Sequence, residues 1–268
     1  MRAIAVNNQK GGVAKTTTVL NLAVALTRLG RRVLVVDLDP QANLTQQAGI
    51  DIRRVRLSVY DVLVNKRAMA DVIEQGQQGF WIAPSDEVLM RAEMEMGDKQ
   101  LGWVRELKKS LDPVRSRFDY CLFDTPPVRG FLTVNALVAA DHGVIVPFVP
   151  EIDAIMGMQL LLARMDELRG ANEGLRPIAC VPVMVDRNWK THTDTVAEVV
   201  RCFPDLPVME AIPRAADFPR ARALGMSIFD FAPQSAGARS YRALAGRVLD
   251  LYEPTVDVVG VARQEVRS

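Results

Sequence analysis

Residues 9 to 17, Gln-Lys-Gly-Gly-Val-Ala-Lys-Thr-Thr, constrain the fold more than any other stretch of this chain. They follow a short apolar run, Ala3 to Val6, and open a long amphipathic segment with Leu20, Leu22, Ala23, Leu26 and Leu29 at helical spacing. The order is strand, tight loop, helix, with Gly30 as the natural stop of the helix. Such a loop turns several backbone N–H groups and a helix N-terminus toward one point, which makes an anion site suited to a chain of phosphates.

Lys15 and Thr16 supply what backbone amides lack, an ammonium for β- and γ-phosphate oxygens and a hydroxyl for Mg²⁺. Against the general phosphate-loop pattern G-x-x-x-x-G-K-[ST], Gln9 and Ala14 replace both glycines. The deviant form K-G-G-x-G-K-[ST] fits far better, through Lys10, Gly11, Gly12, Val13, Lys15 and Thr16, and Ala14 alone departs from it. An alanine costs about 1–2 kcal/mol in a left-handed backbone, so negative φ is expected at Ala14.

After the helix, Val33-Leu34-Val35-Val36 forms an uninterrupted apolar run of the kind found in a parallel strand covered on both faces. It ends in Asp37-Leu38-Asp39, at the sheet edge where open α/β folds hold ligands. Alternation predicts that Asp37 and Asp39 point the same way, one toward Mg²⁺-bound water and the other toward an attacking water. A third carboxylate, Asp124, ends the apolar run 118–123 and is placed to hold Mg²⁺ through water.

Further strands are expected at 80–83, 143–148, 177–185 and 208–212, and helices at 58–63, 85–96, 100–111, 153–169, 192–202, 218–224 and 236–252. Strands alternating with helices, with no linker and no internal repeat, predict an α/β fold: one doubly wound, mostly parallel sheet with helices on both faces, residues 1–252, followed by a loosely held tail, 253–268. Residues 44–117 carry no assignable chemistry. With 33 Lys and Arg against 32 Asp and Glu, the balance excludes a generally basic nucleic-acid binder, so any such surface must be a local patch. No apolar run reaches the length of a membrane span, and the start shows no signal-peptide pattern, so a cytoplasmic protein is expected. Cys121, Cys180 and Cys202 are read as buried thiols, and with His142 and His192 they form no metal constellation.

Taken together, residues 9–18, 33–43, 119–127 with Asn135-Ala136-Leu137, Ile212-Pro213-Arg214, and 232–243 resemble the ParA/Soj family of partition ATPases, within the MinD/ParA class of deviant phosphate-loop proteins. The resemblance implies ATP and Mg²⁺ as cofactors, with Gly11 to Thr17 cradling the nucleotide, Lys15 on the β/γ-phosphates and Thr17 on the α-phosphate side. It implies that Lys10 reaches the ATP of a second copy, that Asp39 positions the hydrolytic water, and that Asp37 and Asp124 stand in the outer shell of the metal. Met184 and Pro213 fall where family members flank adenine, and Glu151 near the ribose or the dimer seam. The family also implies an ATP-dependent homodimer, non-specific DNA binding, a ParB-like activator and a nucleoid-associated location. Arg187, Lys190, Arg214, Arg220 and Arg222 are the candidate DNA contacts.

A MinD-like positioning ATPase should end in a basic amphipathic helix, whereas 253–268 carries Pro254, Gly260 and scattered valines, so no membrane contact is expected. A degenerate nucleotide scaffold with little hydrolysis is the alternative from another class. A loop beginning so near Met1 leaves no room before it for a helix-turn-helix domain.

Overall fold

The computed structural model describes residues 1–97, 101–128, 130–186 and 188–253. Its elements in chain order are β1 (Arg2–Val6), α1 (Lys15–Arg28), β2 (Val33–Asp37), α2 (Asn43–Gln47), α3 (Val59–Leu63), α4 (Met69–Val72), β3 (Glu74–Gln75), β4 (Trp81–Ala83), α5 (Met90–Gly97), α6 (Glu106–Leu111) and β5 (Tyr120–Asp124). There follow α7 (Phe131–Ala139), β6 (Val144–Phe148), α8 (Ala154–Leu168), β7 (Pro177–Pro182), α9 (Lys190–Cys202), α10 (Asp217–Ala223), α11 (Ile228–Phe231) and α12 (Ala236–Tyr252). The strands form one sheet in the order β3-β4-β2-β5-β1-β6-β7, parallel except for the antiparallel edge pair β3–β4.

Neighbouring strand residues face opposite sides, so each central strand feeds two cores. Ala3, Ala5, Leu34, Val36, Cys121, Phe123, Val144 and Val146 pack on one face against α6, α7 and α8. Ile4, Val6, Val33, Val35, Tyr120, Leu122 and Ile145 pack on the other against α1 and α12. This double burial is why the strands read as continuous apolar runs. The register aligns Val6 with Asp124 and Asp37 with Asp124, bringing the ends of β1, β2 and β5 to one edge.

Several expectations are corrected. Val208–Ile212 is not a strand: isolated parallel bridges join Cys180 to Val208 and Val185 to Pro213, and the chain between them makes too few ladder bonds. The helices expected at 85–96 and 100–111 are shorter: 3-10 turns at Glu87–Leu89 and Leu101–Arg105 precede α5 and α6, and Gln100 lies outside the described residues. Helix α7 was unforeseen because its run Phe-Leu-Thr-Val-Asn-Ala-Leu-Val-Ala is buried nearly all round and carries little helical periodicity. Cys202 is exposed, on the solvent face of α9, while Cys121 and Cys180 are buried. Glu253 is anchored rather than loose: it pairs with Arg2 at 3.2 Å and Arg31 at 2.5 Å and accepts from the Tyr120 hydroxyl at 2.9 Å. The rest of the tail, 254–268, lies outside the described residues. Among the described residues, no helix is long and apolar enough to cross a membrane.

Candidate functional site

The loop between β1 and α1 is held from beneath by Asn7 and Asn8, both buried. Asn7 donates to Thr125 Oγ1 at 2.9 Å, tying the loop to the end of β5. Asn8 donates to the Pro147 carbonyl at 2.8 Å and accepts from the Lys10 N–H at 3.0 Å. Gly12 has φ 75°, as the tight turn requires.

Ala14 also has positive φ, 56°, and it serves as the N-cap of α1 without a side-chain cap. The expectation of negative φ is therefore wrong: the chain must reverse there to aim the first amides of α1 at the loop centre, and this geometry outweighs the cost of a Cβ. Ala42 (φ 51°) and Met184 (φ 55°) adopt the same conformation, so three of the four positive-φ non-glycine residues described stand around this edge. Strain of this kind collects at functional sites. Ala14→Gly is expected to stabilise the chain by about 1 kcal/mol, raising Tm by about 2–4 °C in a thermal melt.

Lys15 is buried, and its Nζ donates to the Lys10 carbonyl at 3.1 Å. Burial lowers its pKa, and the Asp124 and Asp39 carboxylates pull it partly back. Asp124 is 1 % exposed, and neither of its carboxylate oxygens has a hydrogen-bond partner. Its pKa is raised well above the usual range, first by burial and then by the Asp37 charge. The Thr16 hydroxyl lies near enough to offset part of this, without hydrogen-bond geometry to either oxygen. An orphaned buried carboxylate beside Thr16 fits a water ligand of a divalent cation. Among the described residues no cluster of His, Cys, Asp and Glu could cage a metal alone, so such an ion would also need phosphate oxygens and water.

Asp37 and Asp39 have different surroundings, since the strand stops at Asp37. Asp37 is fully buried and its oxygens are engaged, with Thr45 N–H at 2.9 Å, Thr45 Oγ1–H at 2.7 Å and the Asp39 N–H at 3.1 Å. Burial pushes its pKa up to about 6 against the lowering by Thr45. Asp39 is half-buried at the edge and accepts from the Gln41 N–H at 3.0 Å. Thr45 thus braces the loop and was missed; nothing in the sequence links it to Asp37 eight residues earlier.

Beyond Ala14 and Thr17 a cavity of ≈ 440 Å³ is walled by Val183, Met184, Ile212, Pro213, Phe218 and Tyr241. It is apolar and of a size for a purine ring, and it brings Met184 and Pro213 together as expected. Tyr241 reaches it from α12 and is tied to Thr18 Oγ1 at 3.2 Å. Arg214 also lines this cavity. Arg222 donates to Asn43 Oδ1 at 2.8 Å, Lys190 and Arg220 are exposed on α9 and α10, and Arg187 lies outside the described residues.

Lys10 turns away from this cavity. Its ammonium binds Glu151 at 2.6 Å and Asp153 at 2.8 Å, and these partners raise its pKa, Asp153 most. It lines a second, smaller cavity with Asn8, Phe148, Asp153, Met156 and Leu160.

A family model described as an AAA domain matches residues 1–176. The sporulation initiation inhibitor protein Soj of Bacillus subtilis is 36% identical over 249 residues, 92% of this chain and 98% of that protein. The chromosome-partitioning ATPase Soj of Thermus thermophilus is 37% identical over 250 residues, 93% and 96% of the two chains. The chain belongs to the ParA/Soj family of partition ATPases. A solved structure of cobyrinic acid a,c-diamide synthase from Mycobacterium smegmatis, with a bound ATP analogue and magnesium, is 34% identical with a TM-score of 0.83, covering 95% of this chain and 96% of that one. As a ParA/Soj protein the chain carries the doubly wound nucleotide-binding fold expected from its motifs, and its deviant loop keeps that geometry with alanine where the pattern has glycine.

Proposed function

We propose that this chain is an ATP-driven dimerising switch that hydrolyses ATP to ADP and phosphate with Mg²⁺, binds DNA without sequence preference as the ATP dimer, and positions a chromosome, plasmid or other cargo. In this reading Gly11 to Thr17 cradle the triphosphate, with Lys15 on the β/γ-phosphates and Thr17 on the α-phosphate side. Thr16 ligates Mg²⁺, whose water shell meets Asp124, and Mg²⁺ would draw charge off the phosphates when bound. Asp39 orients the attacking water, Asp37 holds the Asp39 loop through its N–H, and Met184 and Pro213 flank the base. A ParB-like protein would accelerate turnover.

The observation that carries the reading is the position of Lys10. It stands apart from the apolar cavity, in a second cavity with exposed Met156 and Leu160 of α8, and exposed Ile152 lies between its two partners just before that helix. An apolar strip next to a loop cation suits a second copy of the chain. Phosphoryl transfer gains chiefly from charge placement, and one lysine leaves part of the γ-phosphate charge uncompensated. Lys10 from the partner would complete it. Exposed ion pairs are worth about 0–1 kcal/mol, so exchanging Glu151 and Asp153 for a triphosphate is easy.

The test is phosphate release with and without DNA, comparing wild type with Asp39→Ala. DNA-stimulated release that falls to background in the variant supports the switch, while equal, negligible release in both would leave a nucleotide scaffold. DNA binding that needs ATP and weakens by orders of magnitude between about 50 and 200 mM salt supports the patch around Lys190 and Arg220. The similarity to the amide-forming synthase gives a second reading, and turnover that requires a corrinoid carboxylate and an amide donor rather than DNA would favour it.

A further inference from the structure

Helix α5 belongs to the stretch in which the sequence offered no chemistry, yet it carries a carboxylate that caps the helix following β5. Glu93 accepts the Phe131 N–H at 2.6 Å through Oε2 and the Leu132 N–H at 3.0 Å through Oε1. These are the first two amides of α7, whose own N-cap is Gly130 and has no side chain to satisfy them. A Cβ built on Gly130 would lie 2.2 Å from Oε2 and 2.4 Å from Oε1 of Glu93, so glycine at 130 leaves room for this carboxylate.

Helix α7 is the far anchor of the loop that begins at Asp124. At the near end, Thr125 donates to the Val6 carbonyl at 2.8 Å and accepts from Asn7. Pro127 lies against the phosphate loop, its Cβ 3.9 Å from a Cβ built on Gly11. At the far end, Thr133 Oγ1 donates to the Val128 carbonyl at 2.6 Å, and Glu93 holds the first turn. Eight residues before Glu93, Ser85 Oγ donates to the Asp39 carbonyl at 2.8 Å, and the Ser85 N–H donates to Thr45 Oγ1 at 2.9 Å. One short segment therefore braces both acidic loops, at Asp39 through Ser85 and behind Asp124 through Glu93.

We propose that Glu93 is a positioning residue for the Mg²⁺–nucleotide site: by capping α7 it fixes the far end of the loop that leaves Asp124 and passes the phosphate loop. Its negative charge at a helix N-terminus and its two acceptor oxygens make this hold stronger than a neutral cap would be. Its effect on turnover rests on the reading that the pocket hydrolyses ATP, while its effect on Mg²⁺-dependent binding does not.

The experiment uses full-length wild type, Glu93→Ala, Glu93→Gln, Gly130→Ala and the double variant Glu93→Ala/Gly130→Ala. Amide exchange is followed at Phe131 and Leu132, ATP affinity is measured with Mg²⁺ and with EDTA, and phosphate release is measured with DNA. Glu93→Ala is expected to speed exchange at both amides and to cut the Mg²⁺-dependent gain in ATP affinity about tenfold, with kcat lowered about tenfold and KM within about twofold. Glu93→Gln keeps one carbonyl acceptor and should fall between. Gly130→Ala, which displaces the carboxylate, should match Glu93→Ala and add nothing to it in the double variant. Exchange at the wild-type rate overturns the clamp, and faster exchange with an unchanged Mg²⁺ gain reduces Glu93 to a structural cap and overturns the positioning role. If wild type releases no phosphate, the hydrolytic reading falls and the Mg²⁺ gain alone decides on Glu93.

Discussion

Lys10→Ala is expected to bind ATP within about threefold of wild type, to stay monomeric at saturating ATP, and to lose about a thousandfold in DNA-stimulated phosphate release, the scale of a cation supplied in trans to phosphoryl transfer. Binding survives because the groups that line the nucleotide cavity and the loop floor, from Asn8 and Lys15 to Met184, Pro213 and Tyr241, do not depend on the Lys10 side chain. The folded monomer should also tolerate the change. Lys10 is partly exposed, and its ion pairs with Glu151 and Asp153 are surface pairs of small worth. Inside its own protomer the variant removes these surface pairs alone. Light scattering of wild type and variant with ATP or a non-hydrolysable analogue reads the assembly directly. A variant that dimerises normally and keeps its turnover would show that the trans cation is not part of this site.

Asp124→Asn should act in opposite directions on stability and on function. In the nucleotide-free chain Asp124 is a buried carboxylate with two orphaned oxygens, next to the equally buried Asp37 on the adjoining strand. Both carboxyls have raised pKa values, Asp37 up to about 6, mainly through burial. A carboxyl whose folded pKa lies above its unfolded value stabilises the fold fully below the unfolded pKa, and that contribution is lost as pH rises through the folded one. Nucleotide-free protein should therefore lose stability as pH climbs from about 4 through 6, a window set by the Asp37 shift. The isosteric amide cannot ionise, so Asp124→Asn should flatten this fall and stabilise the apo chain near neutral pH by about 1–3 kcal/mol, because the amide, though still without partners, avoids the cost of a buried charge. The gain in Tm from Mg²⁺–ATP should shrink to that from ATP with EDTA. Asp37→Asn should not stabilise, because Asp37 already accepts three hydrogen bonds that an amide cannot all replace. Melts of the three proteins from pH 4.5 to 8, with and without Mg²⁺–ATP, decide the matter. A destabilised apo Asp124→Asn would mean that the carboxylate has a partner the geometry does not show.

The readable parts of the chain were those where one physical demand dominates a short stretch. The runs at Val33 to Val36 and Tyr120 to Phe123 declared themselves because strands buried on both faces need apolar residues at every position. The helix expected at 58–63 was readable because its start is set within three residues, where Ser58 and Asp61 make a full capping box. Lys15, Thr16, Asp37, Asp39 and Asp124 converge because each follows a strand or loop that the parallel register brings to one edge. The stretch from 85 to 111 was read only coarsely because its short helices pack on α7, and contacts between elements leave little trace in their own periodicity.

By itself the sequence determined the phosphate loop with its strand and helix, the parallel sheet, and the acidic residues that end β2 and β5, since these follow from periodicity and from the spacing of a loop with its own chemistry. Only the tertiary structure decided the left-handed turn at Ala14, the division of labour between Asp37 and Asp39, the outward stance of Lys10 on Glu151 and Asp153, and the grip of Glu93 on α7. The reason is one of range. Periodicity and caps act over a few residues and leave a local trace. Glu93 and Lys10 take partners 38 and 141 positions away, which become neighbours only once the sheet has closed.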